Sequence, residues 1–513
     1  MMLKNHLYKI TMKKYLIAIL TTSVLISSCK KDFLEEDPKG SITTKTFYKT
    51  GEDLNSATLG LALTFNLAWN QTGGLGTTFG ADDITTHAGG NKIGFADFDT
   101  FQANSSNDRL PLWWNYFYKT IKSSNALITN YSNATDASEV QRTNAAGVAY
   151  FYRAVSYSFL TRTWGEVPLV LEATLEPKAN STPAEVYAVI VADLQKAETI
   201  LPDQWSGPRR QGSTDILPTR GSAKALLANV YLTMAGWPLK QTDKYALAAA
   251  KAKEVIDGKA TWGYGLMSNY GELWDKDFRL NKEAVFGCYF NKNMPSIWDY
   301  GDNWGNGSQM GPPNFAPGEE GGWDEAFGEI SFYNKFPAGP RKDATYQTVY
   351  FLNNDPAKAV DYTKLTHKHP YFMKYRDDES YDPATHKLND WWGSATVYII
   401  RYAEVLLTYA EATAMSAGGP DASAYQAVNE VRTRSGLANL PAGLSQSAFR
   451  DAVIAERGWE FAGPEPASRW FDLIRTETVA KANADRHATE LVLKGKPDDN
   501  THAFYWAPKP VIK

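Results

Sequence analysis

The chain has 513 residues, of which 43% are hydrophobic, so it is long enough and apolar enough to build a large folded core. Its 53 basic residues are balanced by 57 acidic ones. No basic cluster that could follow a phosphate backbone lies beyond the amino-terminal segment, which excludes a nucleic-acid-binding protein. The two cysteines, Cys29 and Cys288, are too few for a disulfide framework.

The amino-terminal segment predicts export and lipidation. Lysines precede an apolar run over residues 15–26, and small residues follow it, an order that is typical of a secretory signal. The run is too short to span a bilayer comfortably. Its end resembles a bacterial lipobox, which implies cleavage before Cys29 and a lipid on its thiol, while an ordinary signal peptide with an incidental cysteine is the alternative. We therefore expect a lipoprotein signal peptide at 1–28 and a tether at 29–45.

Helical spacing of apolar residues begins soon after this tether. Four helices are predicted on this ground, and a capping box at Thr182–Glu185 opens the last of them. The segment from Gly73 to Phe95 is rich in glycine and polar residues, so we expect a long loop that carries Asp82 and Asp83. The predicted helices are Thr46–Trp69, Leu110–Tyr131, Asp136–Thr163 and Thr182–Leu201.

Pairs of helices joined by short breaks are the most regular feature of the sequence. Residues 220–235 and 242–258 form one pair. Residues 398–436 form another, with an apolar stripe from Ile399 to Ala414, a Gly-Gly-Pro break and Gly436 at the position of a helix C′ glycine. A single hairpin cannot bury its apolar face alone, so we expect such hairpins to pack on one another. Further helices are predicted at Ser445–Phe461 and Arg469–Arg475.

Charged residues accompany aromatic ones on these predicted helices. We interpret them as buried ion pairs between packed elements, because an arginine held by two carboxylates binds in a bidentate manner and orients both partners. A catalytic role for Glu404 and Glu411 is the alternative. The residues interpreted as ion pairs are Arg153, Arg220, Arg401, Arg432, Glu456, Glu460, Arg469 and Asp472.

The longest segment without helical periodicity runs from residue 262 to residue 392. Long loops of this kind in folded proteins usually carry function. Glycine and proline crowd its centre, where four aromatic residues occur, namely Trp298, Tyr300, Trp304 and Trp323. Their flat apolar faces suit stacking on a ligand as well as the filling of local loop cores, and both interpretations stay open.

Motifs of common catalytic and metal sites give no assignment. No G-x-S-x-G, H-E-x-x-H, phosphate-binding loop or CxxC occurs. His367 and His369 would bind a metal if an acid joined them, but we interpret them as two solvent-facing histidines in a loop. A calcium site near Asp299 departs in its spacing from an EF-hand loop. Carboxylate pairs for glycoside hydrolysis are too common among 57 acidic residues to be diagnostic. We therefore assign no metal, cofactor or catalytic residue.

Several motifs in one order resemble the SusD/RagB family of Bacteroidetes outer-membrane nutrient-binding lipoproteins. The resemblance covers most of the chain after the signal, and it rests on the number and order of the motifs. It implies a mainly α fold in which tetratricopeptide-like helix hairpins form a scaffold for a loop-rich irregular lobe. Besides the lipobox, the motifs are Tyr152–Ala154, Trp164–Leu169, Thr219–Ala223, Ile400–Val405, Asn429–Leu437, Glu456–Arg457, Glu460–Phe461 and Arg469–Arg475.

This resemblance implies one domain over residues 46–513. Hairpins are expected at about 108–260 and 397–475, with the loop-rich insertion at about 262–392. The chain departs from the family pattern at Gly463–Ala467, where a short Glu-Gly turn is expected. It also departs at its carboxyl end, which lacks the usual longer Asn/Gly/Tyr-rich ending.

The resemblance also implies a function. It predicts a non-catalytic lipoprotein, held on the outer membrane through Cys29, that captures a glycan or oligosaccharide for a SusC-like TonB-dependent transporter. Sugars stack their C–H faces on Trp and Tyr, with hydroxyl groups bonded at the rim. A surface glycoside hydrolase and a tetratricopeptide scaffold for protein or peptide partners are the alternatives. The candidate ligand-binding residues are Trp298, Tyr300, Trp304 and Trp323, with Asp82 and Asp83 as rim acceptors.

Overall fold

The structure is a computed structural model that describes residues 46–69, 72–172, 176–212, 214–290, 320–374, 376, 381–389, 393–466, 468–498 and 500–511. Predictions made for Cys29, Trp298, Tyr300 and Trp304 therefore lie outside the described residues. Helices make up most of the regular structure in these ranges, and the strands are short.

Helices begin where the sequence offers a side-chain cap. Thr50, Ser138 and Thr182 each accept a backbone N–H of the first turn and close a capping box. Gly418 and Gly436 follow helix ends with φ of 80° and 75°, a left-handed conformation that glycine adopts without steric cost. The helices are α1 (Gly51–Asn66), α2 (Ile93–Asp99), α3 (Leu110–Asn130), α4 (Glu139–Trp164), α5 (Pro183–Ile200), α6 (Arg220–Ala235), α7 (Lys244–Asp257), α8 (Lys259–Trp262), α9 (Ile330–Lys335), α10 (Pro340–Thr345), α11 (Tyr402–Ala417), α12 (Ala422–Arg434), α13 (Gln446–Glu460), α14 (Arg469–Arg475) and α15 (Val479–Asn483).

Consecutive helices pack against one another from α3 to α7. The series then continues at α11, which packs on α7 although residues 258–401 lie between them, and α12 and α13 pack on α11. The loop-rich segment is therefore an insertion into a helical scaffold, and the predicted mainly α fold with tetratricopeptide-like hairpins is confirmed. Among the helices of the described residues, none combines the length and the hydrophobicity that crossing a membrane requires.

Short strands connect distant parts of the chain. The largest sheet has the order β1-β7-β11-β8, and its register sets Thr85 and Tyr371 opposite Phe327. This sheet joins the segment before α2 to the insertion. The strands are β1 (Ile84–Thr85), β2 (Val167–Pro168), β3 (Asn180–Ser181), β4 (Arg210–Gln211), β5 (Thr214–Asp215), β6 (Ala284–Cys288), β7 (Phe327–Gly328), β8 (Tyr346–Gln347), β9 (Val349–Phe351), β10 (Ala359–Asp361), β11 (Tyr371–Phe372), β12 (Tyr381–Asp382), β13 (Lys387–Leu388) and β14 (Val397–Arg401).

A buried ion-pair network links the scaffold to the insertion. Arg401 is 1% exposed, and its Nη1 lies 2.7 Å from an oxygen of Glu283 and 2.7 Å from an oxygen of Glu460. Its Nε lies 3.0 Å from Glu465, and Arg434 pairs with Glu283 and Glu460 from the end of α12. The predicted role of these charges as ion pairs between packed elements is confirmed here.

The other arginines of the predicted set are also paired, but only Arg153, with Asp193, is buried. Arg432 and Arg469 are half-buried and pair with Glu456 and Asp82. Arg220 pairs with Asp203 at 3.1 Å, but both side chains are more than a third exposed, so this pair belongs to the surface. Buried arginines outside the predicted set pair as Arg457 with Asp472, Arg475 with Glu411 and Arg341 with Glu456.

Residues 397–401 form a strand, whereas the sequence predicted that the helix includes Ile399. The strand β14 pairs antiparallel with β6, and all of its residues are buried. A run of β-branched and aromatic residues favours a strand buried on both faces, and such a short apolar run cannot be told from a helix by periodicity. The helix α11 begins only at Tyr402.

The segment from Gly73 to Phe95 is not the long loop that was predicted. It begins as a 3₁₀ helix at Thr72–Thr78, contains β1 and ends inside α2. Phe79 is 1% exposed, and a Cβ added to Gly80 would lie 2.6 Å from the ring of Trp470. Gly80 therefore allows close packing against α14, which composition alone does not distinguish from loop structure.

Both departures from the family pattern have a place in the fold. Glu465, from the unusual turn before α14, accepts from Arg401 and from the buried Lys374. At the carboxyl end, Ala507 donates its N–H to the carbonyl of Thr163 at 2.8 Å, and the indole of Trp164 donates to Pro508 at 3.1 Å. The short ending thus packs on the end of α4.

Candidate functional site

Residues 320–325 are the described part of the predicted ligand platform. Glu320 fixes the start of this segment, because its buried carboxylate pairs with Arg376 and its carbonyl accepts from Leu388 at 2.8 Å. Asp324 fixes the end of the segment, because its side chain is buried, with 4% exposure, and its backbone has a φ of +59°. Trp323 lies between these two fixed points and is half-buried. Its ring is therefore carried by a backbone that is already ordered, which lowers the entropic cost of binding a ligand.

The two aspartates predicted for the rim have scaffold contacts. Asp82 is half-buried, and both of its oxygens accept from Arg469, one of them at 2.9 Å. Asp83 is 1% exposed, and one oxygen accepts the N–H of Gly463 at 2.7 Å. Burial, together with the charge of Asp82, raises the pKa of Asp83 to about 7. The prediction of a solvent-facing acceptor is wrong for Asp83, because its carboxyl group points into the packed interior.

The interpretation of His367 and His369 as two solvent-facing histidines is also wrong. His369 is 4% exposed, and its Nε2 lies 2.9 Å from Glu490 Oε1. His367 is half-buried, and its Nε2 lies 3.0 Å from Asp324 Oδ2. The apolar neighbour Phe327 covers both rings, with centroid distances of 5.5 Å and 4.7 Å.

A third histidine, which the sequence did not single out, completes this group. His87 lies with its Nε2 3.2 Å from the same Asp324 oxygen, and its ring stacks on His367 at 4.3 Å. Burial raises the pKa of the Asp324 carboxyl, but His367, His87 and the hydroxyl of Tyr371 outweigh it and hold that pKa below its usual range. Two imidazole nitrogens thus lie within 3.2 Å of one carboxylate oxygen.

The sheet explains how these residues meet. His87 follows β1, Asp324 precedes β7 and His367 precedes β11, and these three strands are neighbours in the order β1-β7-β11. Thr86 Oγ1 also donates to the carbonyl of Glu325 at 2.7 Å, which joins two of the segments directly. Sequence spacing carries no signal for this meeting, because the pairing of short strands so far apart in the chain is set by tertiary structure.

Glu404 and Glu411, considered for catalysis, belong to the scaffold. Glu411 is fully buried and accepts from Arg475 Nη2 at 2.7 Å. Glu404 is 4% exposed and accepts from Asn229 at 2.6 Å, with Arg457 at 3.5 Å. Both carboxylates therefore already bind side chains on neighbouring helices.

Comparison with known proteins finds one group of relatives. A model of the SusD family matches residues 291–506, and one described as "Starch-binding associating with outer membrane" matches residues 32–232. The SusD-like protein P2 of Formosa agariphila is 30% identical, over 90% of this chain and 91% of the relative. A SusD-like protein of Bacteroides ovatus is 27% identical, over 91% of this chain and 83% of the relative. A solved laminarin binding SusD-like protein is 25% identical with a TM-score of 0.74, over 90% of this chain and 97% of that one.

Proposed function

The chain belongs to the SusD family, and from this membership we propose that it is a cell-surface protein that captures a glycan or oligosaccharide. The observation that carries the proposal is the similarity along 90% of the chain to a laminarin binding SusD-like protein. In the same proposal the protein is a non-catalytic lipoprotein of the outer membrane, anchored at Cys29. It delivers its ligand to a SusC-like TonB-dependent transporter.

The proposed binding surface is the loop-rich insertion. Trp323 supports this placement, because it is half-buried on a segment that Glu320 and Asp324 hold at both ends. Stacking of a sugar on such a ring should contribute about 0.5–1.5 kcal/mol beyond area burial, by analogy with aromatic pairs. The proposal assigns Trp298, Tyr300 and Trp304 to the same surface.

Calorimetry with a glycan panel that includes laminarin and starch tests the binding step. We expect one or more of these glycans to bind the unmutated chain, and Trp323→Ala to weaken that binding roughly tenfold. Tyr116→Ala is the matched control, since Tyr116 is a half-buried aromatic residue on scaffold helix α3. Equal affinity of the Trp323 variant would move the site away from this ring, and absence of any saccharide binding would contradict the proposal.

Two further measurements separate the alternatives. New reducing ends after incubation with the bound glycan would identify a glycoside hydrolase, and peptide binding without saccharide binding would identify a scaffold for protein partners. For delivery, we expect a TonB-dependent transporter to copurify with the chain from outer membranes. Its absence from gently solubilised complexes would contradict the transport step while leaving glycan capture intact.

A further inference from the structure

His87, Asp324 and His367 form a group with the geometry of a metal site, here called the His-Asp-His cluster. The carboxylate oxygen Asp324 Oδ2 lies 3.0 Å from His367 Nε2 and 3.2 Å from His87 Nε2. All three candidate ligand atoms lie within 4.8 Å of one another. A tetrahedral zinc ion with bonds of about 2.0 Å separates its ligand atoms by roughly 3.3 Å, which agrees with both nitrogen–oxygen distances. The two rings stack within 17° of parallel, so the His87 ring must turn for its Nε2 to face the same ion as His367 Nε2.

A second observation points to an ion at this place. His87 Nε2 is buried and makes no hydrogen bond, although the acceptor Asp324 Oδ2 is 3.2 Å away. The ring nitrogen is therefore close to the oxygen without being aligned for a hydrogen bond with it. A bound ion is one physical explanation for a buried polar atom without a hydrogen-bond partner.

We propose that the His-Asp-His cluster binds a divalent transition metal ion, with Zn²⁺ as the preferred occupant. Imidazole nitrogen and carboxylate oxygen are ligands that Zn²⁺ accepts in proteins, whereas Ca²⁺ and Mg²⁺ prefer oxygen alone. The two imidazole side chains are 22% and 24% exposed, so the ion has a route from solvent and a solvent molecule can complete its coordination. This inference stands independently of glycan capture.

The surroundings of the cluster suit a cation. The hydroxyl of Tyr371 donates to the other oxygen of Asp324, which orients the carboxylate and leaves Oδ2 for the ion. Among the bases near the cluster, Lys92 has its charge matched by Glu325 at 3.6 Å, and Lys368, which follows His367, is exposed to solvent. Phe327 stacks on His367 and fixes the plane of that ring.

Binding through Nε2 requires a change at the far side of His87. Its Nδ1 accepts the N–H of Gly89 at 3.1 Å, so the proton of the neutral ring is on Nε2. With a metal on Nε2 the proton moves to Nδ1, and the Gly89 amide turns to solvent. Gly89 and Gly90 are both exposed, and Gly90 has a φ of +55°, so this turn can reorient at little cost.

Isothermal titration of the full chain with Zn²⁺ tests the proposal. The chain is purified in detergent without a polyhistidine tag and stripped with a chelator. We expect one equivalent of Zn²⁺ to bind, and the double variant His87→Ala/His367→Ala to lose at least about 100-fold in affinity. His487→Ala is the matched control, because His487 is exposed and lies outside the cluster. Its affinity should equal that of the unmutated chain.

A second measurement uses only the unmutated chain, so it tests the proposal even if the double variant fails to fold. Co²⁺ added to the unmutated chain should give the intense visible absorption of a four-coordinate site, and Zn²⁺ should displace it. Zn²⁺ should also raise the melting temperature of the unmutated chain. Equal Zn²⁺ affinity of the double variant, or Co²⁺ spectra that show only the hexaaqua ion, would overturn the proposal and leave Asp324 as a shared hydrogen-bond acceptor.

Discussion

Asp83 is an interior acid that lies beside a second acid, Asp82, whose two oxygens are taken by Arg469. Burial and the neighbouring charge raise the pKa of Asp83 to about 7, against about 3.9 in an unfolded chain. Between these two values the folded protein holds a proton that the unfolded chain has lost. The free energy of unfolding therefore falls as the pH rises from about 4 to about 7.

Asp83→Asn should remove this contribution to the pH dependence. The amide oxygen can still accept the N–H of Gly463, while the side chain has no charge to bury. We expect the variant to gain stability relative to the unmutated protein between pH 5 and pH 8, by at most about 3 kcal/mol, because about two of the roughly three pH units between the two pKa values lie in this window. Urea unfolding at the two pH values measures it, with the exposed Asp451→Asn as control. A difference that does not change with pH would show that Asp83 is ionised in the fold.

At the residue scale, the sequence predicts what depends on near neighbours. The capping box at Thr182–Glu185 was predicted and is present, because its two hydrogen bonds join residues three positions apart. The meeting of His87 with Asp324 and His367 was not predicted. It depends on strand pairing between distant segments, and each of these residues alone has an ordinary sequence context.

At the scale of elements, substitution of two glycines distinguishes the effect of tight packing on stability from the effect of helix propensity. Gly80 lies against α14, where an added Cβ would meet the ring of Trp470 at 2.6 Å. Gly60 is exposed on α1, where an added Cβ would have no neighbour within 4 Å. We expect Gly80→Ala to lower the free energy of unfolding by about 1–3 kcal/mol and Gly60→Ala to raise it by about 0.5–1 kcal/mol. Chemical denaturation of both variants checks the opposite signs, and a shift in the same direction would refute the packing argument.

The ion pairs between helices predict that the loss of stability on removing an arginine increases with its burial. Arg341 is 2% exposed and contacts Glu456 and Glu460 at 2.7 Å and 2.9 Å, so Arg341→Ala leaves buried charge behind and should cost about 3–5 kcal/mol. Arg432 is less buried and shares Glu456 with Arg341, so Arg432→Ala should cost only about 1–3 kcal/mol.

Melting and urea curves measure this gradient, with the exposed Arg450→Ala as a control expected within about 0.5 kcal/mol of the unmutated protein. Glycan affinity should stay unchanged in the folded variants, because these pairs join scaffold helices. A variant with unaltered melting and lost binding would place its arginine in the binding site.

Prediction of secondary structure failed at β14, where complete burial removes the regular spacing of apolar and polar residues. The helix α3 was predicted within one residue of its bounds, because a helix with one buried side has a clear period. Every residue of the strand β14 is buried, so its sequence is a continuous apolar run without alternation. This run was therefore predicted as part of the helix that follows it. The segment from Gly73 to Phe95 was mistaken for a loop for another reason, since Gly76 and Gly80 within it serve close packing rather than a turn.

At the scale of the whole molecule, the residues that identify the family are not those that would bind a ligand. The matching motifs contain Arg401, Glu460 and Arg469, and all three are buried or half-buried in ion pairs. Such residues fix how scaffold helices meet the insertion. The scaffold was therefore predictable from sequence, whereas the proposed ligand surface lies on the insertion, whose side chains follow no regular period.

The proposed membrane anchor concerns the whole molecule, and substitution of one residue, Cys29, tests it. Lipid on Cys29 would contribute about 0.8 kcal/mol per buried CH₂ group, so its loss should release the protein from the outer membrane. We expect Cys29→Ala to appear in soluble or inner-membrane fractions of cells that lack the cognate transporter, since protein contacts cannot then retain it. Fractionation and immunoblotting measure the distribution.

Cys288→Ala is the matched control, because it removes the other cysteine of the chain from a fully buried position. Burial raises the pKa of the Cys288 thiol well above its usual value, so this group stays a protonated core side chain. The control variant should remain in the outer membrane even if its melting temperature falls. Outer-membrane recovery of Cys29→Ala equal to that of the control would show that the attachment does not depend on a lipid at Cys29, and the tether at 29–45 would lose its proposed role.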